Sequence, residues 1–259
     1  MVRALYTAYT GMINEQKRLD VISNNVANSA TVGYKTEKPT SQQFKEELTY
    51  KIKDASGVYG KERIGHMSLG TKIGEIYTDY SQGSLLETGQ TFDLAIEGKG
   101  FFQVSCNDGN GNTVTRYTRN GNFTMTNDGY VVDSEGNNLL GTNGVVRVPT
   151  DAKSISIDTD GSVFADNQMV NRVALTDIED YDFLEHLGDV MYVPVQGATQ
   201  IPTNAIINQG YTEQSNVNTV SQMVDLIATT RAYEGGQKMI QTVDNMLDKA
   251  VNSVGAVNG

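Results

Sequence analysis

Few residues of this 259-residue chain have the types and spacing that chemistry requires. The two histidines, His66 and His186, lie far apart and form no pair at metal-ligand spacing. Asp108-Gly-Asn-Gly-Asn112 begins like a calcium-binding loop, but Arg119 stands at the twelfth position, where a bidentate glutamate is required. Gly98-Lys-Gly100 lacks the third glycine of a dinucleotide-binding loop. Because each of these motifs is incomplete, we predict that the chain binds no metal, no cofactor and no small-molecule substrate.

Nucleophilic and acid–base chemistry are also poorly supported by the sequence. Cys106 is the single cysteine, which excludes an intramolecular disulfide, and its strand-like neighbours predict a packing role with nothing to lower the pKa of the thiol. No serine or cysteine triad is evident. We therefore predict that the chain is not an enzyme. A peptidoglycan hydrolase stays open as an alternative, because spacing along the chain does not report how close any two of the 31 acids lie.

The composition is that of an acidic, turn-rich globular protein. A formal net charge of −11 and a pI near 4.6 disfavour nucleic acid, whose phosphates are bound by clustered Lys and Arg. Six acids between Asp177 and Asp189, with no Lys or Arg among them, predict a solvated loop. Residues 1–28 lack the pattern of a secretory signal, and no stretch approaches the apolar length of a membrane span. We therefore predict neither a membrane protein nor a substrate of signal-peptide export.

The first residues of the chain follow a heptad pattern. Leu5, Met12, Leu19 and Val26 recur every seven residues, and Ala8 and Ile22 each follow a member of that row by three. A helix of about 25 residues, roughly 38 Å long, is predicted up to Ala27. Gly33 is expected to take a positive φ after that helix ends.

The last fifth of the chain has the same pattern. Leu226, Tyr233, Ile240 and Leu247 recur every seven residues, and Met223, Met239, Val243 and Met246 lie beside that row. Thr219 with Gln222 has the spacing of a capping box and Asn218 is an alternative cap, so a helix is predicted from about residue 219 to Val254. Gly235-Gly236 lies mid-helix, which indicates close packing or a bend.

Between the two helical segments the sequence has short strand-like runs separated by turn signals. Asn120-Gly121, Asp128-Gly129 and Asp160-Gly161 provide the left-handed positions that tight hairpins need. The predicted class is α+β, with long N- and C-terminal helices forming a coiled-coil domain and a central antiparallel β domain. The predicted divisions are an N-terminal coiled-coil helix at 1–35, a connector or extended hairpin at 36–74, the β domain at 75–205, and a C-terminal helix at 206–259 that pairs with 1–35.

The apolar rows on the two helical segments cover more of each helix surface than one partner helix could bury. A helix with an apolar stripe must bury it, and the two segments could cover each other as a simple helical hairpin. The side rows, and the scarcity of Lys and Glu on these segments, favour additional neighbours. The sequence therefore predicts a self-assembling structural subunit, whose helix-seam residues are the heptad positions named above.

Three separated blocks of the chain resemble the axial proteins of the bacterial flagellum, in particular the rod and hook subunits of the basal body. Ile22-Ser-Asn-Asn-Val-Ala-Asn28 with Thr31-Val-Gly-Tyr-Lys35 is similar to the amino-terminal signature, and Asp93–Gly98 with Gly100–Val104 is similar to the β domain of the family. Ser215-Asn-Val-Asn218 with Arg231-Ala-Tyr-Glu234 is similar to the carboxy-terminal signature. The signature residues are Asn24, Asn25, Asn28, Gly33, Tyr34, Lys35, Asn216, Asn218, Arg231 and Tyr233.

The resemblance implies a structural subunit that polymerises into a helical tube and transmits torque from motor to hook. It implies copies of the same chain, other rod and hook subunits and the flagellar type III export apparatus as partners, and a place in the basal body outside the cytoplasmic membrane. The length suits a rod subunit better than a hook subunit. Among rod subunits the chain looks most like the distal one, with the proximal rod segment as the alternative. An extracellular binding module built on the β domain is a further alternative.

Overall fold

Each end of the chain forms a long helix, and antiparallel strands occupy the residues between them. The computed structural model describes residues 2–51, 62–107, 113–203 and 205–254. Helix α1 is Val2–Ala27, and helix α2 is Thr219–Lys249, which continues as a π-helical turn over Ala250–Val254. The predicted α+β class, with a helix at each end and an antiparallel β region between, is confirmed.

The chain divides into two compact units. The helical unit comprises Met1–Ala27, Glu37–Asp79 and Asn218–Gly259, and the β unit comprises Asn28–Thr36 and Tyr80–Val217.

Local signals explain where the helices stop and start. The side-chain oxygen of Asn218 accepts a hydrogen bond from the backbone N–H of Ser221 at 3.1 Å, so Asn218 is the N-cap of α2. After α1 the chain makes a 3₁₀ turn over Asn28–Ala30 and reaches Gly33, whose φ is +73° as expected. The carboxyl end of α2 is less regular than predicted, because its last turn is a π-helix.

A strand ribbon completes the helical unit. Its strands are β1 (Glu37–Gln43), β2 (Glu47–Lys51), β3 (Glu62–Met67) and β4 (Thr71–Thr78). β1 pairs antiparallel with β4 and β2 with β3, and each ladder contains one register shift. The ribbon packs on α1, where the Asn14 side chain donates to Ser41 Oγ at 3.0 Å and Thr7 Oγ1 donates to the Leu69 carbonyl at 3.2 Å.

The β unit contains the remaining strands. In chain order they are β5 (Leu85–Glu87), β6 (Leu94–Glu97), β7 (Phe101–Asn107), β8 (Thr113–Thr118), β9 (Thr124–Met125), β10 (Val131–Val132), β11 (Asn138–Gly141), β12 (Gly144–Val145), β13 (Ile155–Ile157), β14 (Ser162–Ala165), β15 (Gln168–Arg172), β16 (Leu175–Ile178), β17 (Leu184–Leu187), β18 (Met191–Pro194), β19 (Gln200–Ile201), β20 (Ile206–Gln209) and β21 (Tyr211–Glu213). A second 3₁₀ turn, Tyr181–Phe183, precedes β17.

The strands of the β unit pair in an antiparallel manner. Over the described residues, the largest sheet has the order β17-β18-β8-β7-β11-β10-β9, with β12 on β11, and with β16 on β7 and β19. β13, β14 and β15 form a three-stranded sheet, while β6 pairs with β20 and β5 with β21. The sheets enclose an apolar core that includes Phe102, Val104 and Phe123. Cys106 belongs to this core as a free thiol, and burial raises its pKa, which fits the predicted packing role.

Candidate functional site

The two helices of the helical unit lie against each other in antiparallel order. Near one end of α1 the Asn25 side chain donates to Gln222 Oε1 at 3.3 Å. Towards the other end, a β-carbon added to Gly236 would lie 2.7 Å from Cγ of Met12. Residue numbers therefore rise along α2 as they fall along α1, and the two helices contact each other directly.

The predicted helix-seam residues lie at different depths. On α1, Ile22 is buried, and Leu5, Ala8, Met12, Leu19 and Val26 are half-buried. On α2, Leu226, Tyr233, Ile240 and Leu247 are half-buried. Thr229 and Val243 are buried three residues after members of that row, which completes a heptad stripe. That these residues form an assembly seam stays a prediction.

Gly235 and Gly236 have different surroundings although they are adjacent in α2. A β-carbon on Gly235 would meet no atom within 4 Å, whereas one on Gly236 would crowd the Met12 side chain and lie 3.9 Å from the Ala8 carbonyl oxygen. The helix runs through both positions without a break. Close packing therefore accounts for Gly236 but not for Gly235.

This difference predicts unequal effects of alanine at the two glycines. We expect Gly235→Ala to raise helix stability by about 1 kcal/mol, the propensity difference between the two residues. Gly236→Ala should raise helix stability by less, or lower it, because the Met12 side chain must move. The measurement is the thermal loss of the circular dichroism signal at 222 nm in polymer assembled from the full chain, where both helices are ordered. Equal gains at both positions would contradict the packing of Met12 on Gly236, and Met12→Ala should restore the gain to Gly236→Ala.

Asn25, from the amino-terminal signature, fastens α1 to the beginning of β1. Its side-chain oxygen accepts from the Glu37 N–H at 3.0 Å and its side-chain nitrogen donates to the Glu37 carbonyl at 2.8 Å. The side chain is buried and also reaches Gln222 on α2. One amide thus joins three segments of the helical unit, as no apolar residue could.

A buried charge cluster in the β unit contains the lysine of the same signature. Lys35 Nζ lies 2.5 Å from Oε1 of Glu213, and Arg119 Nη1 lies 3.2 Å from Oε2 of Glu213. The exposed fractions of these side chains are 1%, 4% and 1% for Lys35, Arg119 and Glu213. Two buried cations therefore share one carboxylate, and a charge this deep is tolerated only when it is paired and hydrogen-bonded.

Backbone groups complete the charge cluster. Glu213 Oε1 also accepts from the Gly83 N–H at 2.9 Å, Lys35 Nζ donates to the Ser81 carbonyl at 2.8 Å, and Arg119 Nη2 donates to the Gly98 carbonyl at 2.8 Å. The Arg119 guanidinium also stands over the Phe101 ring, 5.4 Å from its centre. The cluster therefore fixes five separate segments of the β unit at one point.

Asn216 adds a second polar link beside the charge cluster. Its Oδ1 accepts from the Thr36 N–H at 2.8 Å and from Thr36 Oγ1 at 2.7 Å, and its Nδ2 donates to Ser81 Oγ at 3.0 Å. Gly33 donates its N–H to the Glu213 carbonyl at 2.8 Å. The segments before β5 and after β21 are thus tied to residues 33–36 within the β unit.

The remaining signature residues are spread over both units. Tyr34 is fully buried, Asn28 Oδ1 accepts from Thr31 Oγ1 at 2.9 Å, and Asn218 caps α2. Asn24 and Arg231 are exposed on α1 and α2. The signature therefore contains both residues that hold the fold together and residues whose side chains are exposed to solvent.

Sequence reasoning did not identify Glu213, and it considered Arg119 only as a mismatch in a calcium loop. The loop itself, Asp108–Asn112, lies outside the described residues. A signal was available, because a lysine directly after the buried Tyr34 needs an acid as its partner. The sequence gives no means of choosing that acid among 31 candidates.

An aromatic group borders the cluster within the β unit. Phe101 and Tyr192 are buried, with ring centroids 5.5 Å apart. The Tyr80 ring packs on Phe101 at 5.9 Å and on Tyr192 at 5.4 Å, and the Tyr181 ring packs on Tyr80 at 4.7 Å and on Phe101 at 6.0 Å. The Tyr181 hydroxyl donates to Asp177 Oδ1 at 2.9 Å, and burial together with this carboxylate raises the pKa of Tyr181 to about 12. Tyr181 therefore stays protonated into alkaline solution and remains a hydrogen-bond donor to Asp177 there.

The described residues contain neither a cluster of metal-ligand side chains nor a helix of membrane-spanning character. Within those ranges no three His, Cys, Asp or Glu side chains come together as a possible metal site. Among the same residues, neither α1 nor α2 combines the length and apolar character needed to span a bilayer.

Three family models match the chain. They are the flagella basal body rod protein model at residues 5–35, the flagellar hook protein FlgE/F/G D1 domain at residues 95–165, and the flagellar basal body rod FlgEFG protein C-terminal model at residues 208–253. The first and third coincide with most of α1 and α2, and the second lies in the β unit.

Full-length relatives agree with these matches. The chain is 32% identical to the flagellar basal-body rod protein FlgG of Bacillus subtilis, over 97% of this chain and 99% of the relative. It is 33% identical to FlgG of Agrobacterium fabrum, over 95% and 97%. It is also 31% identical to the rod protein FlgF of Caulobacter vibrioides, over 100% of both chains.

Proposed function

Because this chain belongs to the family of flagellar basal-body rod proteins, structural components of the flagellar basal body, we propose that it builds the distal segment of the rod. The observation that carries the proposal is its similarity over nearly the full length to several relatives named FlgG. A relative named FlgF is similar over its whole length as well, so the proximal segment is the alternative.

The proposed mechanism is polymerisation through α1 and α2, which form a coiled coil with each other and with neighbouring subunits. In support, Met12 of the α1 row packs on Gly236 of α2. Met223, Met239 and Met246 on α2 nevertheless remain more than half exposed. An apolar row that one partner helix leaves uncovered gains free energy when another subunit covers it. Further copies of this chain and other rod and hook subunits are the proposed neighbours, and the type III apparatus is the proposed export route.

We further propose that the helices order fully only when the subunit joins the growing tip. In the free subunit, apolar side chains of α1 and α2 remain in water, so they contribute little free energy of burial. That contribution offsets less of the conformational entropy that the chain loses when it folds into helices. The β unit has its own apolar core and buried charge cluster, so it should be folded in the free subunit.

Circular dichroism of the full chain against a fragment of residues 28–217 tests this coupled folding. The fragment retains Gly33, Lys35 and Glu213, on which the β unit depends. We expect the full chain to add much less signal at 222 nm than 26 residues of α1 and 31 of α2 would give as stable helices. Fully helical, protease-resistant ends in the free monomer would exclude the coupled folding.

Location in purified hook–basal bodies tests the segment assignment. Gold-labelled antibody against the chain should bind the rod just below the hook, and label at the motor end would favour the proximal segment instead. Absence from the rod, together with saturable ligand binding by the β unit, would favour the extracellular binding module.

A further inference from the structure

Two Asn-Gly dipeptides lie in different surroundings within the β unit. Asn120-Gly121 precedes β9, and Asn143-Gly144 lies at the turn from β11 to β12. Asn110-Gly111 and Asn258-Gly259 lie outside the described residues. Glycine has no side chain to shield its backbone nitrogen, so the asparagine before it can be attacked by that nitrogen at its side-chain carbonyl carbon. The β unit therefore presents the same reactive pair in two environments.

Asn143 lies in an open environment. Asn143 and Gly144 are both exposed, at the tip of a hairpin whose strand β12 is two residues long. The Asn143 backbone N–H donates to Asn171 Oδ1 at 3.3 Å, but among the described residues the Asn143 side chain has no hydrogen-bond partner. Gly144 has a φ of +96°, and a β-carbon added to it would meet no atom within 4 Å. Because short exposed turns open by local unfolding, the Asn143 side chain can reach the Gly144 nitrogen.

Asn120 lies in a closed environment. The exposed fraction of this residue is 9%, its side-chain oxygen accepts from the Asn122 N–H at 3.0 Å, and its own N–H donates to Thr118 Oγ1 at 3.0 Å. The Gly121 carbonyl accepts from the Leu94 N–H at 2.9 Å, and a β-carbon on Gly121 would lie 1.6 Å from the Leu94 carbonyl oxygen. The fold therefore holds both the asparagine side chain and the glycine backbone in place.

We propose that Asn143 is a site of spontaneous deamidation in the folded β unit, an inference that does not depend on the proposed function. The Gly144 amide nitrogen attacks Cγ of Asn143, and the new N–Cγ bond closes a succinimide ring. The Cγ–Nδ2 bond breaks, and Nδ2 leaves as ammonia with the proton that the Gly144 nitrogen gives up. Water then opens the ring at either carbonyl carbon, which leaves aspartate or isoaspartate at position 143.

Isoaspartate changes the turn more than aspartate does. It places the side-chain methylene in the main chain, so the connection between position 143 and Gly144 becomes longer, and it adds a negative charge at the tip of the hairpin. Asn171 now accepts from the Asn143 N–H and donates to the Gly144 carbonyl at 3.4 Å, so that it spans both residues. The longer connection separates these two contacts, and the modification therefore weakens the link between the turn and β15.

Incubation of the wild-type full chain at mildly alkaline pH tests the proposal. Trypsin releases both asparagines in one peptide, residues 120–147, because no Lys or Arg lies between Arg119 and Arg147. Fragmentation of this peptide in a mass spectrometer measures the acid formed at each asparagine, and a digest made at time zero corrects for conversion during digestion. We expect conversion several-fold faster at Asn143 than at Asn120, with isoaspartate among the products.

The matched control is the same full chain unfolded in guanidinium chloride. Both dipeptides lose their surroundings there, so they should convert at similar rates. Equal rates at the two positions in the folded chain, or conversion at Asn143 only after unfolding, would overturn the proposal. Aspartate without any isoaspartate would also overturn it, because opening of the succinimide ring gives both products. Absence of the chain from basal bodies would refute the proposed function and leave this modification untouched.

Discussion

Replacing Glu213 with glutamine is expected to unfold the β unit under conditions in which the wild-type chain is stable. The substitution leaves Lys35 and Arg119 as two buried cations without their shared carboxylate. Removing one partner of a buried ion pair costs about 3–5 kcal/mol, because the remaining charge stays desolvated and uncompensated. Since a typical domain is stable by only about 5–15 kcal/mol, this loss is a large part of the total.

Urea unfolding monitored by tyrosine fluorescence measures the effect of Glu213→Gln, since the chain has 13 Tyr and no Trp. The matched control is Glu179→Gln, which makes the same chemical change at an exposed position of the β unit. We expect the control midpoint to stay near that of the wild type. If both variants unfold at the same urea concentration, the charge cluster does not hold the β unit together.

Gly33→Ala is also expected to destabilise the β unit strongly. An L-residue at the φ of +73° costs about 1–2 kcal/mol, and forcing a methyl group into a filled space adds about 1–3 kcal/mol. The added carbon would lie on the backbone of Arg119 and Asn120, 2.5 Å from the Arg119 carbonyl carbon. Because this is main chain, the clash also displaces Arg119 from Glu213.

Gly188→Ala is the control for Gly33→Ala. Gly188 has the same φ of +73°, but a β-carbon there would meet no atom within 4 Å. In the same unfolding experiment, Gly188→Ala should therefore lower the free energy of unfolding only by the cost of the backbone strain. Similar losses at the two positions would show that the approach of Arg119 and Asn120 to Gly33 does not contribute.

Helix placement could be predicted because its signals are local. The heptad pattern without proline predicted α1 up to Ala27, and the cap signals at 218–222 predicted the start of α2 near residue 219. Both boundaries agree with the structure. The coiled-coil character and the assembly role of the seam residues stay predictions, because apolar periodicity reports that a helix needs partners but not which ones.

Turn prediction in the β region was right where the turn is local and wrong where it is not. Gly129 and Gly161 have positive φ values in tight turns, as Asp-Gly predicts. Asn120-Gly121 has the same composition, yet Gly121 is not left-handed. A β-carbon on Gly121 would instead overlap the Leu94 carbonyl oxygen, so the glycine is needed for a close approach between distant segments.

The sequence by itself determined the α+β class, the two terminal helices and, through the family blocks, the flagellar axial family. Each of these depends on residues a few positions apart. Only the tertiary structure decided that Lys35 pairs with Glu213, which lies 178 residues further along the chain, and that Gly236 packs on Met12 while Gly235 faces open space. Such pairings follow from how the sheets and helices pack in space, and spacing along the chain carries no record of that packing.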